Sequence, residues 1–287
     1  MNSLISEDLI QMNPEKDNQV IFKNIMRLHM VATFLFTALT IGFVLGIQDS
    51  NVIPTTNFAT GTDGPVGIPS QQLYLNHQFN PVWFIILFVF LAALDHGVIS
   101  FLAYFRPELV KDFLFQQKNN PIRWIEYSLS ASFMLITICI LCGISDIHMW
   151  ILLGSSNCVG MLMGQLLEVL SAPKYKHLIE KKIIHYIFSL ASALVFVPWI
   201  IPLWFFFHGV YMVHEYNHQE DIPSFVYIAL LGTFVCFSSF AVNSYCYHIL
   251  ERYDFHKTEY IYVILSFIAK TILAIDVYGG LASMKNN

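Results

Sequence analysis

The sequence predicts an all-α membrane protein, a seven-transmembrane helix bundle with its N-terminus in the cytoplasm. Three observations lead there. Of the 287 residues, 56% are hydrophobic and 12% are charged, and the mean hydropathy is +0.57, too apolar for a soluble domain of this size. Seven apolar stretches are each long enough to cross a bilayer, given about 1.5 Å of helix rise per residue. Thirteen of the fifteen Lys and Arg fall on one side of those stretches, and that asymmetry sets orientation.

In chain order, residues 1–20 form a polar, acidic tail with no apolar core before a small-residue cleavage site, so no cleavable signal peptide is expected. Span 1 covers 22–46. Residues 47–80 form a long polar loop with turn signals at Gly61, Gly64, Pro65, Gly67 and Pro69. A loop of this length carries function or folds on itself, here as a β-hairpin on the extracellular side. Asn80-Pro81 opens span 2 (81–105) with an N-cap and a proline at the first helical position, and Asn120-Pro121 opens span 3 (121–143) in the same way. Span 4 (148–171) stops at Ala172-Pro173. Span 5 (183–208) carries Pro198 and Pro202, which predict a kink. Spans 6 (222–250) and 7 (259–283) complete a single domain over residues 1–287.

The positive charges cluster before span 1 (Lys16, Lys23, Arg27), between spans 2 and 3, between 4 and 5, and between 6 and 7. The loops 47–80, 144–148 and 209–221 have none. The protein is therefore expected in the cell membrane, multi-pass, with the N-terminus cytoplasmic and the C-terminus extracellular. The five Cys lie in apolar stretches and read as small buried hydrophobes rather than a disulfide or zinc framework. His214 and His218, four apart, stand in an acidic outer loop and read as solvated rather than as a metal site. Glu251-Arg252-Tyr253 spells a G-protein-coupled-receptor triplet but follows the wrong helix, and span 7 lacks the matching Asn-Pro-x-x-Tyr. The mixed-charge cytoplasmic loop 104–120 reads either as a partner surface or, in preference, as a solvated basic loop facing anionic lipid.

Lys270 stands near the middle of span 7. A free ammonium at that depth costs at least a few kcal/mol, so the residue is either paired or present as a neutral amine, the form that makes Schiff bases. Counting helix rise from the cytoplasmic side gathers Glu126 (span 3), Ser266 (one turn before Lys270), His29 (span 1) and His96 (span 2) at or below its level. Glu126 comes out roughly 10 Å nearer the cytoplasm than the Lys270 backbone. Each residue also has a plainer reading. Glu126 pairs with Arg123, the two histidines are satisfied core groups, and Ser266 bonds back to its own helix. Asp95 and Asp276 are further intramembrane carboxylates, and Glu168 lies near the inner end of span 4.

Several stretches resemble the heliorhodopsins, retinal proteins of inverted topology. They are Arg123-Trp-Ile-Glu-Tyr-Ser-Leu-Ser-Ala131, Leu141-Cys-Gly-Ile-Ser-Asp-Ile147, Val197-Pro-Trp199, Ile222-Pro-Ser-Phe-Val-Tyr227 and Tyr262-Val-Ile-Leu-Ser-Phe-Ile-Ala-Lys270. The resemblance implies all-trans retinal on Lys270 as a protonated Schiff base, with Glu126 as counterion. It places Ser266 near the Schiff base, His29 and His96 in a polar cavity on the cytoplasmic side, and Asn157 and Gly164 at pocket positions. Tyr127 and Ser130 join this cofactor-binding set. No resident metal, enzymatic activity or nucleic-acid partner is expected. The expected partners are retinal, membrane lipid, a second copy across the first outer loop, and an unidentified cytoplasmic signalling protein. The chain departs from the family at Ser238, Gln165, Asp276 and Asp95. The function implied is a photoreceptor that signals by helix rearrangement without pumping ions. A light-driven or light-gated proton transporter is the alternative, kept open by Asp95 and Asp276, and a retinal-free transporter built on Lys270 and Glu126 is a third class.

Overall fold

Each apolar run becomes a helix bounded by the residues that the sequence marks as caps and breakers. The computed structural model describes residues 14–46, 53–61, 70–215 and 222–283; the N-terminal tail to residue 13 and His218 lie outside them. Helix α1 spans Pro14–Gly46. Strands β1 (Ile53–Gly61) and β2 (Ser70–Phe79) pair antiparallel, with Ile53 opposite Phe79 and Gly61 opposite Ser70. The first loop is thus a hairpin, as its turn residues suggest, and β1 reaches the fourth long helix of the bundle.

Helix α2 spans Val82–Phe105, α3 Pro121–Leu141 and α4 Ile147–Ser171. Asn80 Oδ1 accepts from Val82 N at 3.0 Å, Asn120 Oδ1 from Arg123 N at 3.3 Å, and Asp146 Oδ1 from His148 N at 2.9 Å. Each satisfies a helix-end N–H that has no partner within its own helix. Gly143, at φ +87°, takes the left-handed turn that ends α3. Helix α5 is in two pieces, Lys181–Phe196 and Ile200–Glu215, joined by the 3-10 turn Val197–Trp199. Pro198 removes a backbone donor there, which explains the break. Helices α6 (Ser224–His248) and α7 (Phe255–Ser283) follow.

Among the described residues, seven helices are long and apolar enough to cross a membrane. Neighbours in sequence pack side by side from α1 to α5, α6 packs on α7, and α7 closes the ring against α1 and α2. Helix α3 is the central one: 72% of its apolar window is buried, against 22% for α1. Contacts between α6 and helices α3, α4 and α5 are sparse. That weak seam matters, because it is where an internal slot opens.

Several details differ from the sequence expectation: α1 begins at Pro14 rather than 22, and α5 runs on to Glu215 rather than 208, so His214 stands on a helix and not in a loop. Helix α7 starts at Phe255, a turn earlier than 259, because Asp254 caps it by accepting from Lys257 N at 2.9 Å. The connector between α2 and α3 is not simply solvated. It winds into a helical turn (Pro107–Lys111) and a π-turn (Asp112–Gln117), which bury Val110 and Leu114 against Ile25, Ile99 and Phe255. Their i, i+4 spacing puts both on one face. Finally, Glu251, at φ +51°, is a clasp between loops. It pairs with Lys181 at 3.0 Å and Lys176 at 3.4 Å, and those lysines hold its carboxyl below the usual range.

Candidate functional site

Lys270 Nζ donates to Glu126 Oε1 at 2.6 Å. Both residues are buried, at 3% and 5% exposure. The depth mismatch counted along the sequence closes for a physical reason. Helical side chains lean toward their own N-terminus, and α3 and α7 both start at the Lys/Arg-rich end, so it is the greater length of Lys270 that carries its amine down to the Glu126 carboxylate. The other carboxylate oxygen, Glu126 Oε2, is buried without a hydrogen-bond partner, and so is Ser266 Oγ one turn before Lys270. The Lys270 ammonium also stands 5.1 Å from the centre of the Tyr127 ring, within the range of cation–π attraction. Tyr127 is itself fixed, donating its hydroxyl to the Tyr262 carbonyl at 2.9 Å.

Beside this pair is a second buried group. His29 and His96 meet through their Nδ1 atoms at 2.9 Å, and His96 Nδ1 lies 3.3 Å from Asp95 Oδ2. One ligand atom from each of the three lies within 4.8 Å of the others. Phe36 stacks on His96 and also touches Phe267 of α7, so the histidines are held against the same wall that carries Lys270. Lys270 and Glu126 are among the charges that act on Asp95. The two histidines found by depth counting therefore sit together, with Asp95 as an added carboxylate.

On the other side of Lys270 the surroundings are apolar. Lys270, Ser266, Ser130 and Met134 border a cavity of about 30 Å³ that shares Tyr127, Met161, Phe237 and Phe240 with a cavity of about 60 Å³. The second cavity extends between α4 and α5 to Val195 and Phe196. Together they mark a slot from the amine to the kink of α5, where Trp199 wedges between Phe234 and Phe237. Gly164 lines the slot, and a Cβ there would run into the Trp124 ring. Because the indole is anchored by donating Nε1 to Glu168 Oε2 at 3.0 Å, Gly164→Ala is expected to cost about 1–3 kcal/mol by overpacking. A lower thermal denaturation midpoint reads this out; an unchanged midpoint would mean the ring moves freely.

Retinal needs an amine to condense with, a nearby anion and an apolar slot. The chain supplies Lys270 Nζ, the unsatisfied Glu126 Oε2 and an aromatic channel, so these residues fit the group. The cavities are smaller than a retinal molecule, and Met161, unbranched and common to both, is the wall best able to give way. Asn157 is placed differently from the other expected pocket residues. It is fully buried and donates to Ser132 Oγ of α3 at 3.4 Å, and it does not line either cavity. Gln165 donates to Asn119 Oδ1 at 3.0 Å, and Ser238 bonds back to Phe234 O at 2.8 Å.

Depth counting missed one network. Arg123 does not pair with Glu126. It is buried between Glu168 of α4 and Glu259 of α7, forming ion pairs with both. Asn120 ties the carboxylates together, giving its backbone N–H to Glu168 Oε1 at 2.6 Å and its amide to Glu259 Oε1 at 2.6 Å. The guanidinium lies 4.5 Å from the Tyr262 ring centre. The signal was present in the sequence, since Arg123 and Glu259 near the starts of their helices and Glu168 near the end of its own all fall at the same end of the bundle. An early start for α7 is what brings Glu259 inside.

Comparison with known proteins follows the same lines. The family model described as heliorhodopsin matches residues 22–282. No curated protein sequence matches the chain. Among solved structures, the transmembrane domain and linker region of Salpingoeca rosetta rhodopsin phosphodiesterase is similar in fold, with a TM-score of 0.61 and 12% identity over 96% of this chain and 77% of that one. The light-driven proton pump LR (Mac) from Leptosphaeria maculans gives a TM-score of 0.53 at 11% identity, over 94% and 96% of the two chains. A thermophilic rhodopsin gives 0.50 at 12%, over 91% of each. At these identities the likeness is one of fold.

Proposed function

The chain belongs to the heliorhodopsin family, and from that premise we propose that this multi-pass membrane protein of the retinal-binding type is a light sensor that does not pump ions. The observation that carries the reading is the buried Lys270–Glu126 pair at the head of an apolar slot. When bound as a Schiff base on Lys270, all-trans retinal supplies visible absorption and a light-driven change of shape. The residues of the chain do the rest. Glu126 holds the positive charge on the Lys270 nitrogen and keeps its proton in place. Tyr127, Met161, Phe237 and Phe240 exclude water and fix the slot. Ser266, one turn away with a free hydroxyl, offers a hydrogen bond to the nitrogen when it turns from Glu126. His29, His96 and Asp95 form an internal polar store beside the pair, so a proton leaving it has somewhere to go inside the protein.

The seam between α6 and helices α3 to α5 is lightly packed, so strain in the slot moves α6 and α7 more readily than the rest. That movement is the proposed signal, read on the cytoplasmic side by a protein partner. The N-terminus is proposed to be cytoplasmic and the C-terminus extracellular, from the sidedness of Lys and Arg. A homodimer is proposed across the β1–β2 hairpin.

A light-driven or light-gated proton transporter is the second reading. It is favoured by Asp276 Oδ2, which is buried without a hydrogen-bond partner six residues beyond Lys270 on α7. The two readings separate by electrophysiology. In a voltage-clamped membrane carrying the retinal-loaded protein, light is expected to give no steady photocurrent. A sustained current that Asp276→Asn removes would establish transport instead.

A further inference from the structure

A groove of about 570 Å³ lies between the basic ends of α1 and α7, and it shares no residue with the cavities around Lys270. Its walls change character with depth. Arg27, in the interior of α1, and His256 and Lys257, in the first turn of α7, line the groove; about a turn further along each helix come Val31 and Tyr260, while Ile21, Asn24 and Ile25 line it on the outer side of Arg27. Both helices run inward from this end, so from Arg27 and Lys257 inward each wall passes from a cation to apolar or aromatic side chains. That order matches an amphiphile with its head at the two cations and its tail along the spans.

The two cations of the groove outnumber its one carboxylate, Asp254. Among the described residues neither Arg27 nor Lys257 forms an ion pair; the other Lys and Arg pairs are made elsewhere. The Lys257 ammonium stands 4.0 Å from the Tyr253 ring centre. The carboxylate that lines the groove, Asp254, is engaged in capping α7 through Lys257 N. His256 packs its ring against Phe115, with centroids 4.4 Å apart, and leaves Nε2 buried without a hydrogen-bond partner. Two exposed cations thus share one wall system with apolar and aromatic side chains.

We propose that this groove is a binding site for one anionic phospholipid. Its phosphate meets Arg27 and Lys257, and an acyl chain lies along Val31 and Tyr260. Basic pockets between transmembrane helices are the usual hosts of such headgroups. Selectivity follows from Asp254. It is one carboxylate against two cations, so the groove keeps a net positive charge and favours the net-negative phosphatidylglycerol over the zwitterionic phosphatidylcholine. The site is independent of the retinal reading and is testable in the dark without chromophore.

The test is native mass spectrometry of the full chain released from detergent after exposure to equal amounts of phosphatidylglycerol and phosphatidylcholine. Wild type is expected to retain one phosphatidylglycerol selectively. The pair Arg27→Gln/Lys257→Gln is expected to lower that retention about tenfold or more. Both side chains are exposed, so the bundle has no reason to unfold. The pair Lys174→Gln/Arg252→Gln removes the same charge outside the groove and is expected to leave retention unchanged. Equal retention of the two lipids by wild type would overturn the proposal, and so would an equal loss in the two double variants.

Discussion

Lys270→Ala abolishes the visible absorption band of the retinal-loaded protein. The reason is local: Lys270 supplies the amine that borders the apolar slot, and alanine has nothing to condense with an aldehyde. The substitution has a second effect, since it strands Glu126 as a buried carboxylate without its ion partner. Breaking a buried pair by removing one partner costs about 3–5 kcal/mol, so loss of the band alone could reflect loss of the fold. Lys270→Arg separates the two effects. Arginine keeps the positive charge beside Glu126 and stays protonated at any accessible pH, so it forms no Schiff base. It is expected to retain more of the thermal stability than the alanine variant while lacking the band just as completely. A visible band in either variant would remove Lys270 from its proposed role.

Glu126→Gln keeps the band but changes it in two ways. The amide is nearly isosteric but carries no charge, so the cation on the Lys270 nitrogen loses the partner now 2.6 Å away. With its positive charge freer to spread along the polyene, the chromophore absorbs further to the red. The proton is also held less tightly, because an opposite charge within about 4–6 Å favours the charged form by about 1–3 pH units. On alkaline titration the visible band therefore disappears at lower pH than in wild type, by about that amount. Asp95→Asn is the comparison. Asp95 contacts His96 rather than the amine, so its substitution produces the smaller shift. A spectrum and titration of Glu126→Gln that match wild type would assign the counterion elsewhere, with Asp95 next in line.

Much of this was readable from the chain. Membrane spans mark themselves, because a run of about twenty apolar residues has few other uses, and Asn80, Asn120, Pro198 and Gly143 punctuate them by local chemistry. Counting depth, since a helix converts sequence distance to height, brought Glu126 only to within roughly 10 Å of the Lys270 level; the need of a buried lysine for a carboxylate pointed to the pair. Depth says nothing about azimuth, and this is where reading stopped. Arg123 and Glu126 are three apart on one helix, which makes them look like a local pair. The structure turns Arg123 toward Glu168 and Glu259, which belong to other helices at the same height. Glu259 was hidden further by the Asp254 cap that starts α7 early. Asp95 was noticed as an intramembrane carboxylate, yet its company with His29 and His96 depends on how α1 and α2 face each other. The same limit hid Val110 and Leu114, whose burial needs α1 and α7 alongside.

The arrangement also explains why the site is split by polarity. On one side of the amine are carboxylates and imidazoles, with Arg123 and its two glutamates beyond them; on the other are methionine and aromatic rings. An amine at such a boundary can carry a charge on its polar side while an apolar group extends from it on the other. Either half alone would have a structural explanation. Together they call for a long apolar ligand joined to a cation.

The most direct measurement is therefore of the attachment itself. The full-length protein is loaded with all-trans retinal, the carbon–nitrogen double bond is reduced with borohydride, and the digested peptides are read by mass spectrometry. Reduction adds hydride to the imine carbon and a proton to nitrogen, leaving a stable secondary amine. The account predicts a single retinyl adduct on the peptide that contains Lys270. An adduct on a different lysine, or none on a protein that has taken up retinal and coloured, would contradict it.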